Sequence, residues 1–284
     1  MTPERRAPIV VAFAIVVVSF AAILIRLCNV PTAVIAAFRL AFSSLILLPL
    51  FAGKRRGLVV TKKQVGLCAL SGVFLSLHFL LWIESLQITT VASSVVLVTT
   101  SPIFAAIFAW VVLREGISRR TLVATVLCFL GSLSIGRGDI HLGPGMLKGD
   151  LFALGGAAAF GACFVIGRSL RRSLGYIEYA FMTYTASAVL LLAWMMLRGH
   201  GFTGFEPVNY LWFALLALGP QVFGHTSLNW ALKYIPAPKV AISILGEPVG
   251  SALLAWLFFA EVPGYALFIG GALILYGVYL AMTD

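Results

Sequence analysis

Apolar residues fill this sequence in long stretches that are separated by short polar or charged loops. Ten such stretches are bounded by charges, Pro or Gly, and most are close to the length of about 20 residues that spans the hydrocarbon core of a bilayer as an α-helix. They cover approximately residues 8–27, 31–51, 64–86, 91–113, 121–135, 149–170, 176–197, 210–234, 237–259 and 264–282. The pattern predicts an all-α integral membrane protein with ten transmembrane helices, numbered here in chain order.

Composition excludes a water-soluble protein. Hydrophobic residues make up 61% of the 284 positions and charged residues only 11%, which would leave a soluble domain of this size prone to aggregation. The loops are too short to hold a soluble domain, so we expect any function to reside within the helices. The four cysteines are isolated and form no CxxC pair. No cofactor or metal is implied.

The basic residues are distributed unequally between the two sides of the predicted bundle. One side collects Arg5, Arg6, Lys54, Arg55, Arg56, Lys62, Lys63, Arg114, Arg119, Arg120, Arg168, Arg171, Arg172, Lys233 and Lys239. The other side collects Arg26, Arg137, Lys148 and Arg198. By the positive-inside rule, both termini face the cytoplasm. The net charge of +10 therefore indicates topology and contact with membrane lipid, and it does not predict a nucleic-acid partner.

The two halves of the chain repeat one another. A shift of 146 residues superimposes SLQITTVASSVVLVTTSPIFAAIFAWVVLRE on ALKYIPAPKVAISILGEPVGSALLAWLFFAE, which aligns Pro102 with Pro248 and Glu115 with Glu261. Each half, 1–141 and 142–284, carries five predicted helices. Because five is odd, the halves must enter the membrane in opposite directions. An inverted 5+5 repeat is typical of secondary transporters with a site near the midplane.

Four segments resemble the EamA family of the drug/metabolite transporter superfamily, in its ten-helix branch with two EamA repeats. They are AAFRLAFSSLILLPL in helix 2, SPIFAAIFAWVVLREGIS in helix 4, GEPVGSALLAWLFFAE in helix 9 and GGALILYGVYL in helix 10. The resemblance covers nearly the full chain and is closest to the amino-acid exporters of the family. Ser101 replaces the glutamate of the family's glutamate-proline pair in the first half, so a symmetric pair of carboxylates is not expected.

Glu247 stands beside Pro248 in the middle of an apolar stretch. Ten residues into helix 9, it lies ~15 Å deep, where an ionised carboxylate is costly and must face the bundle interior. Pro248 removes an amide that would bond the carbonyl of Ile244, and Gly246 allows close approach of another backbone. These residues and Pro102 predict hinges in helices 9 and 4. Glu247 is a candidate for coupling, and an interhelical hydrogen bond is the alternative.

Arg39 is the one basic residue well inside a predicted span, ~12 Å from the outer boundary. A buried arginine requires a carboxylate, supplied either by Glu247 or Glu84 in a structural ion pair or by the substrate. We expect it to face the interior of the bundle.

Polar and aromatic stripes on corresponding helices predict a substrate cavity. His78 and Trp82 lie one turn apart on helix 3. Helix 8 repeats amide and imidazole groups at intervals of four, and helix 7 adds tyrosines. These further candidates are Gln221, His225, Asn229, Trp230, Tyr179 and Tyr184. Such groups suit a zwitterionic or aromatic small molecule, although interhelical hydrogen bonds and interfacial aromatic belts have the same residues.

Together these features predict a secondary transporter of a bacterial inner membrane that exports amino acids or similar metabolites by alternating access. A nucleotide-sugar or drug carrier on the same fold is the first alternative, although phosphates would need more intramembrane cations than Arg39. An intramembrane enzyme is the second, but there is no HExxH or GxSxG. Small-residue faces on helices 6 and 10 are compatible with a homodimer. Proton coupling and the identity of the amino acid stay open.

Overall fold

The computed structural model describes residues 2–54, 60–88, 94, 97–98, 100–136, 146–259 and 265–283, and these residues form helices joined by short turns with no strand among them. The predicted linker at 137–145, the first part of predicted helix 4 and Glu261 lie outside the described residues.

The helices are numbered in chain order, and helices with an interruption keep one number. They are α1 (Pro3–Leu27), α2 (Thr32–Lys54), α3 (Lys62–Ile88), α4 (Ser101–Phe108, then π-helical Ala109–Leu113), α5 (Arg119–Gly136), α6 (Met146–Leu170), α7 (Tyr176–Leu197), α8 (Pro207–Leu216, then π-helical Ala217–His225 and α-helical Thr226–Ala231), α9N (Ala237–Ile244), α9C (Glu247–Phe259) and α10 (Tyr265–Met282).

Several of these helices are suited to a bilayer. Among the described residues, six are long and apolar enough to cross a membrane, and Ser101–Leu113 and Phe268–Met282 form shorter apolar helices. The six are Pro3–Leu27, Thr32–Gly53, Lys62–Ser85, Leu147–Leu170, Tyr176–Leu197 and Ala237–Phe258. The protein is therefore a multi-pass membrane protein. The count of ten spans and the cytoplasmic placement of both termini stay predictions.

The two predicted hinge prolines occupy the first turns of helices. Pro102 is the second residue of α4 and Pro248 the second residue of α9C. A proline is tolerated at this position because the amide that it lacks would have no acceptor within the helix. Between α9N and α9C, the amides of Leu245 and Gly246 bond the carbonyls three residues earlier, at 3.0 and 3.1 Å. The bend near Pro248 is thus a break between two half-helices.

Helix packing comes in matched pairs. α3 packs on α6 and α7, as α8 packs on α1 and α2, and α4 packs on α6 as α9C packs on α1. The remaining major contacts join α2 to α7, α5 to α10 and α4 to α9N. If each helix is replaced by the helix five numbers away, the contacts of the first group turn into their counterparts, and the three remaining contacts each turn into themselves.

The crossing of α5 and α10 shows the same pairing at single residues. A Cβ placed on Gly131 would lie 2.5 Å from the carbonyl oxygen of Gly270, and a Cβ on Gly277 would lie 2.9 Å from that of Ala124. Each residue of the first contact becomes one of the second when the number changes by 146, the offset of the sequence repeat. Glycine is needed at both positions because the two backbones touch there.

Candidate functional site

A cavity of about 150 Å³ lies between the helices of the two halves. Six residues predicted from sequence to be functional line it, together with Ser101, Phe79 and Phe160. The six are Arg39, His78, Trp82, His225, Glu247 and Pro248. We refer to it as the central cavity. It draws side chains from α2, α3, α4, α6, α8 and the two parts of α9, so distant parts of the chain meet at one place.

The guanidinium group of Arg39 is contacted by uncharged side chains. Its side chain lies in α2 and the residue is only 3% exposed. Nε donates a hydrogen bond of 2.8 Å to Oε1 of Gln221, and Cζ lies 4.7 Å from the ring centroid of Phe79, a cation–π contact. No ion pair joins Arg39 to Glu247 or to another residue that the structure describes. The structural ion pair with Glu247 or Glu84, considered from sequence, is therefore not formed among the described residues.

Glu247 is the first residue of α9C, directly after the break, and its side chain is half-buried at the cavity wall. The amides of a first helical turn favour a carboxylate, so the end of the half-helix partly stabilises this charge. Nothing in the described part of the chain donates a hydrogen bond to the Glu247 carboxylate. The cavity is thus lined by one cation and one carboxylate that are not bonded to each other.

A stack of rings forms one wall. The His78 ring lies between two others, nearly parallel to both: its centroid is 5.9 Å from that of Trp82 and 4.2 Å from that of Phe160. His78 Nδ1 lies 3.0 Å from the carbonyl oxygen of Gly156, which can only accept, so Nδ1 carries the proton. The Trp82 indole Nε1 has no hydrogen-bond partner among the described residues. Trp82 lines the central cavity, but this nitrogen is buried within the protein.

Phe160 and its neighbours were missed by sequence reasoning. They lie in the segment LGGAAAFGAC of α6, which we interpreted as a packing face. That interpretation describes Gly156 well, because a Cβ there would lie 3.3 Å from the backbone nitrogen of Trp82. The single large ring among the small residues was the available signal. Close approach of α6 to α3 is what brings Phe160 onto His78.

The other predicted polar residues line a smaller cavity of about 20 Å³, which shares Phe160 and His225 with the central cavity. These residues are Tyr179, Tyr184, Gln221 and Asn229. Their groups mostly bond one another or a neighbouring helix: Asn229 Nδ2 donates to Tyr184 Oη at 3.3 Å, and Tyr179 Oη lies 2.7 Å from Ser71 Oγ. We therefore assign them a supporting role behind the central cavity.

Trp230 lies away from both cavities. Its ring packs 4.8 Å from that of Tyr234 at one end of the bundle. Trp230 follows His225 by five residues, which turns it ~140° away around an α-helix.

Gly246, the remaining predicted hinge residue, lies at the break before α9C, where its backbone approaches Ile15 of α1.

An ionic cluster ties the two halves together at the end of the bundle that carries most basic residues. Glu115 Oε1 accepts from Arg168 Nε at 3.1 Å and from Arg172 Nη2 at 2.6 Å. Arg168 Nη1 also donates to the carbonyl oxygens of Leu232 and Lys233, at 2.8 and 2.9 Å. We call Glu115, Arg168 and Arg172 the end clasp. Sequence analysis marked Glu115 only as a repeat position.

The backbone before the clasp is turned sharply. Arg114 adopts a left-handed conformation with φ 55°, and the amide of Glu115 bonds the carbonyl of Ala109 at 3.2 Å, which closes the π-helical end of α4. This geometry directs Glu115 back toward α6.

Among the residues that the structure describes, no group of three or more His, Cys, Asp or Glu could hold a metal ion.

Comparisons with known proteins agree with a transporter. The model of the EamA-like transporter family matches residues 7–137 and 147–283. Human Solute carrier family 35 member G1 is 28% identical over 252 residues, which cover 84% of this chain and 68% of that protein. Pseudopaline exporter CntI of Pseudomonas aeruginosa is 25% identical over 255 residues, covering 87% and 84%. The uncharacterized transporter YdfC of Bacillus subtilis is 25% identical over 248 residues, covering 86% and 79%.

A solved crystal structure has the same fold. It superimposes with a TM-score of 0.83 at 18% sequence identity, over 98% of this chain and 96% of that chain.

Proposed function

This chain belongs to the EamA-like transporter family, and we propose that it exports amino acids or similar small zwitterionic metabolites by alternating access. The protein acts in a bacterial inner membrane, with both termini cytoplasmic. The substrate binds in the central cavity.

The observation that carries this proposal is that Arg39 and Glu247 both line the central cavity and form no ion pair with each other. Charges within a membrane are costly and are normally paired. An amino acid brings a carboxylate for Arg39 and an ammonium group for Glu247, and each charge-assisted hydrogen bond would satisfy one of the two side chains.

The size and wall of the central cavity favour a small substrate. Drug-sized ligands occupy pockets of roughly 300 to 1,000 Å³, whereas the central cavity has about 150 Å³. A nucleotide sugar would also bring phosphates to a site with one cation. The ring stack of Trp82, His78 and Phe160 suits an apolar or aromatic side chain.

Two repeat units, 1–141 and 142–284, form the moving halves of the transporter. Two separate matches to the family model and the paired helix contacts support this inverted 5+5 arrangement of ten spanning helices. The N-terminal ends of α4 and α9C meet at the central cavity, as discontinuous helices do in many secondary transporters. The end clasp joins the halves on the cytoplasmic side, and it must open for substrate to enter from there.

Uptake and counterflow in proteoliposomes test the substrate class. We would compare phenylalanine with phenylalanine amide, which lacks the carboxylate, and with 3-phenylpropionate, which lacks the ammonium group. The wild type should move only the zwitterion. Arg39→Gln should lose the preference over the amide, and Glu247→Gln the preference over phenylpropionate. Arg198→Gln and Glu206→Gln make the same changes at exposed sites and should have no effect. Equal transport of all three compounds by the wild type would reject the proposal.

The same vesicles decide whether transport is coupled to protons. Glu247 is the coupling candidate, because it is the carboxylate at the cavity wall. We would impose a pH gradient and measure phenylalanine movement in the wild type and in Glu247→Gln. Gradient dependence that is lost in the variant would identify Glu247 as the proton site. Movement that ignores the gradient in the wild type would establish downhill transport.

A further inference from the structure

A groove of about 350 Å³ lies at the end of the bundle beside the end clasp, between the α6–α7 connection and the last turn of α8. The groove is lined by Arg171, Arg172, Tyr176, Trp230, Lys233 and Tyr234. It thus combines three cations with three aromatic side chains. None of these six residues lines the central cavity, and Arg172 is the one that the groove shares with the end clasp.

The cations of the groove are incompletely neutralised. Lys233 is exposed; its Nζ lies 5.8 Å from the Tyr234 ring centroid, and it makes no ion pair with a described residue. The Arg172 side chain is 56% exposed and shares the single Glu115 carboxylate with Arg168. One carboxylate therefore faces two guanidinium groups, which leaves positive charge at the groove.

Arg171 is fixed at the inner wall. It is buried, and it donates to the carbonyl oxygens of Asn229 and Leu174. Burial lowers the pKa of Arg171 from its ordinary value, while Tyr234 and the Glu178 carboxylate act in the opposite direction. Glu178 lies in the first turn of α7, on the buried side of Gly175. Among the described residues Glu178 makes no ion pair with Lys233 or Arg172, so the exposed mouth of the groove stays cationic.

The aromatic rings indicate where the groove lies relative to the bilayer. Trp230 and Tyr234 pack at a ring distance of 4.8 Å, and Tyr176 lies 5.8 Å from Arg171 Cζ. Tryptophan and tyrosine concentrate at the level of the lipid headgroups, where their rings contact both acyl chains and water. Basic pockets between helices at the cytoplasmic surface bind anionic headgroups. The groove has both properties.

We propose that this groove binds the phosphate group of an anionic phospholipid of the cytoplasmic leaflet. Lys233 and Arg172 hold the phosphate oxygens, and the aromatic rings support the glycerol backbone. Because Arg172 also bonds Glu115, the phosphate competes with the end clasp for one guanidinium group. A bound lipid therefore weakens the connection between α4 and α6 at that end.

Native mass spectrometry of the purified full-length protein tests the site. Protein in detergent would be equilibrated with equal amounts of phosphatidylglycerol and phosphatidylcholine, and the retained lipids counted. We expect preferential retention of phosphatidylglycerol. Lys233→Ala should weaken it roughly five-fold. Glu115→Gln should strengthen it, because Arg172 is released. Lys63→Ala removes an exposed lysine from the predicted cytoplasmic side outside the groove and should change nothing.

The control variant separates a site from general surface attraction. Equal losses in Lys233→Ala and Lys63→Ala would overturn the proposal, as would equal retention of phosphatidylcholine by the wild type. Complete displacement of phosphatidylglycerol by millimolar inorganic phosphate would assign the groove to a soluble anion instead. A thermal unfolding scan of Lys233→Ala confirms that the variant is folded. Lipid retention does not depend on transport, so this result is independent of the substrate proposed for the central cavity.

Discussion

The start of α4 and the start of α9C have the same backbone design and different chemistry. Both have a proline as their second residue, and the residue before that proline lines the central cavity in each. The residue before the proline is buried Ser101 in one and half-buried Glu247 in the other. The proline at the second helical position is thus common to the two halves, whereas the charge is not. The repeat thus keeps the proline at the start of the helix in both halves, while the side chain before that proline differs.

The starts of these two helices also cross their neighbours at equivalent turns. α9C lies against Ser19 of α1, where Ser251 Oγ donates to the Ser19 carbonyl oxygen at 3.0 Å. α4 lies against Gly161 of α6, where a Cβ would lie 2.8 Å from the backbone nitrogen of Ala105. Ala105 and Ser251 differ by 146 in number, so the same turns of the two helices make the same crossings. The contrast between Ser101 and Glu247 is therefore a difference of side chains at equivalent places in the two halves.

The largest effect is expected from the charge itself. Glu247→Gln should lower kcat/KM for a zwitterionic substrate by roughly 10- to 100-fold, since a charge-assisted hydrogen bond to the ammonium group is lost. Ser101→Ala, the matched change in α4, should lower it less than about three-fold. Initial rates of phenylalanine counterflow measure both. Similar losses in the two variants would show that the halves contribute equally to binding.

The end clasp gives the next largest effect. Glu115→Gln should accelerate amide hydrogen exchange in residues 109–118 by roughly 5- to 100-fold, because a partly buried carboxylate no longer holds two guanidinium groups. Exchange in α2 should not change. Hydrogen exchange with mass spectrometry gives the comparison peptide by peptide. Unchanged exchange at 109–118 would mean that helix packing alone closes this end.

The two prolines test whether this shared position matters equally in both halves. Pro248→Ala restores an amide that can bond the carbonyl of Ile244, so α9N and α9C can join into one helix. We expect slower turnover at unchanged KM, and the same from Pro102→Ala. Stopped-flow counterflow over a range of substrate concentrations separates the two constants. An effect from only one proline would show that a single half moves.

The smallest effect concerns the crossing of α5 and α10, where the halves are most alike. Gly131→Ala and Gly277→Ala should each lower the Tm in detergent by roughly 3 to 8 °C, because each added methyl group meets the backbone of the other helix. Gly66→Ala serves as the control, since no atom lies within 4 Å of a Cβ there. A drop for only one of the two glycines would contradict their equivalence.

The long apolar stretches predicted the membrane class and most helix bounds correctly. A bilayer requires such stretches, and a helix forms all of its backbone hydrogen bonds within itself. The positions of Arg39, His78, Trp82 and Glu247 at the bundle interior also followed from sequence, since polar groups are excluded from lipid. The position of Pro248 predicted a bend in helix 9, but it did not predict that the helix is interrupted between Ile244 and Glu247. These features depend on each residue and its near neighbours, which is why one sequence was enough.

Contacts between distant helices required the tertiary structure. Sequence spacing placed Tyr179, Tyr184, Gln221 and Asn229 among the candidate cavity residues, but in the structure they line the smaller cavity next to the central one, where the π-helical segment of α8 packs near α7. The contact of Phe160 with His78 and the bonds of Glu115 to two arginines join residues more than 50 positions apart. Such pairs depend on which helix faces meet, and only three-dimensional packing decides that.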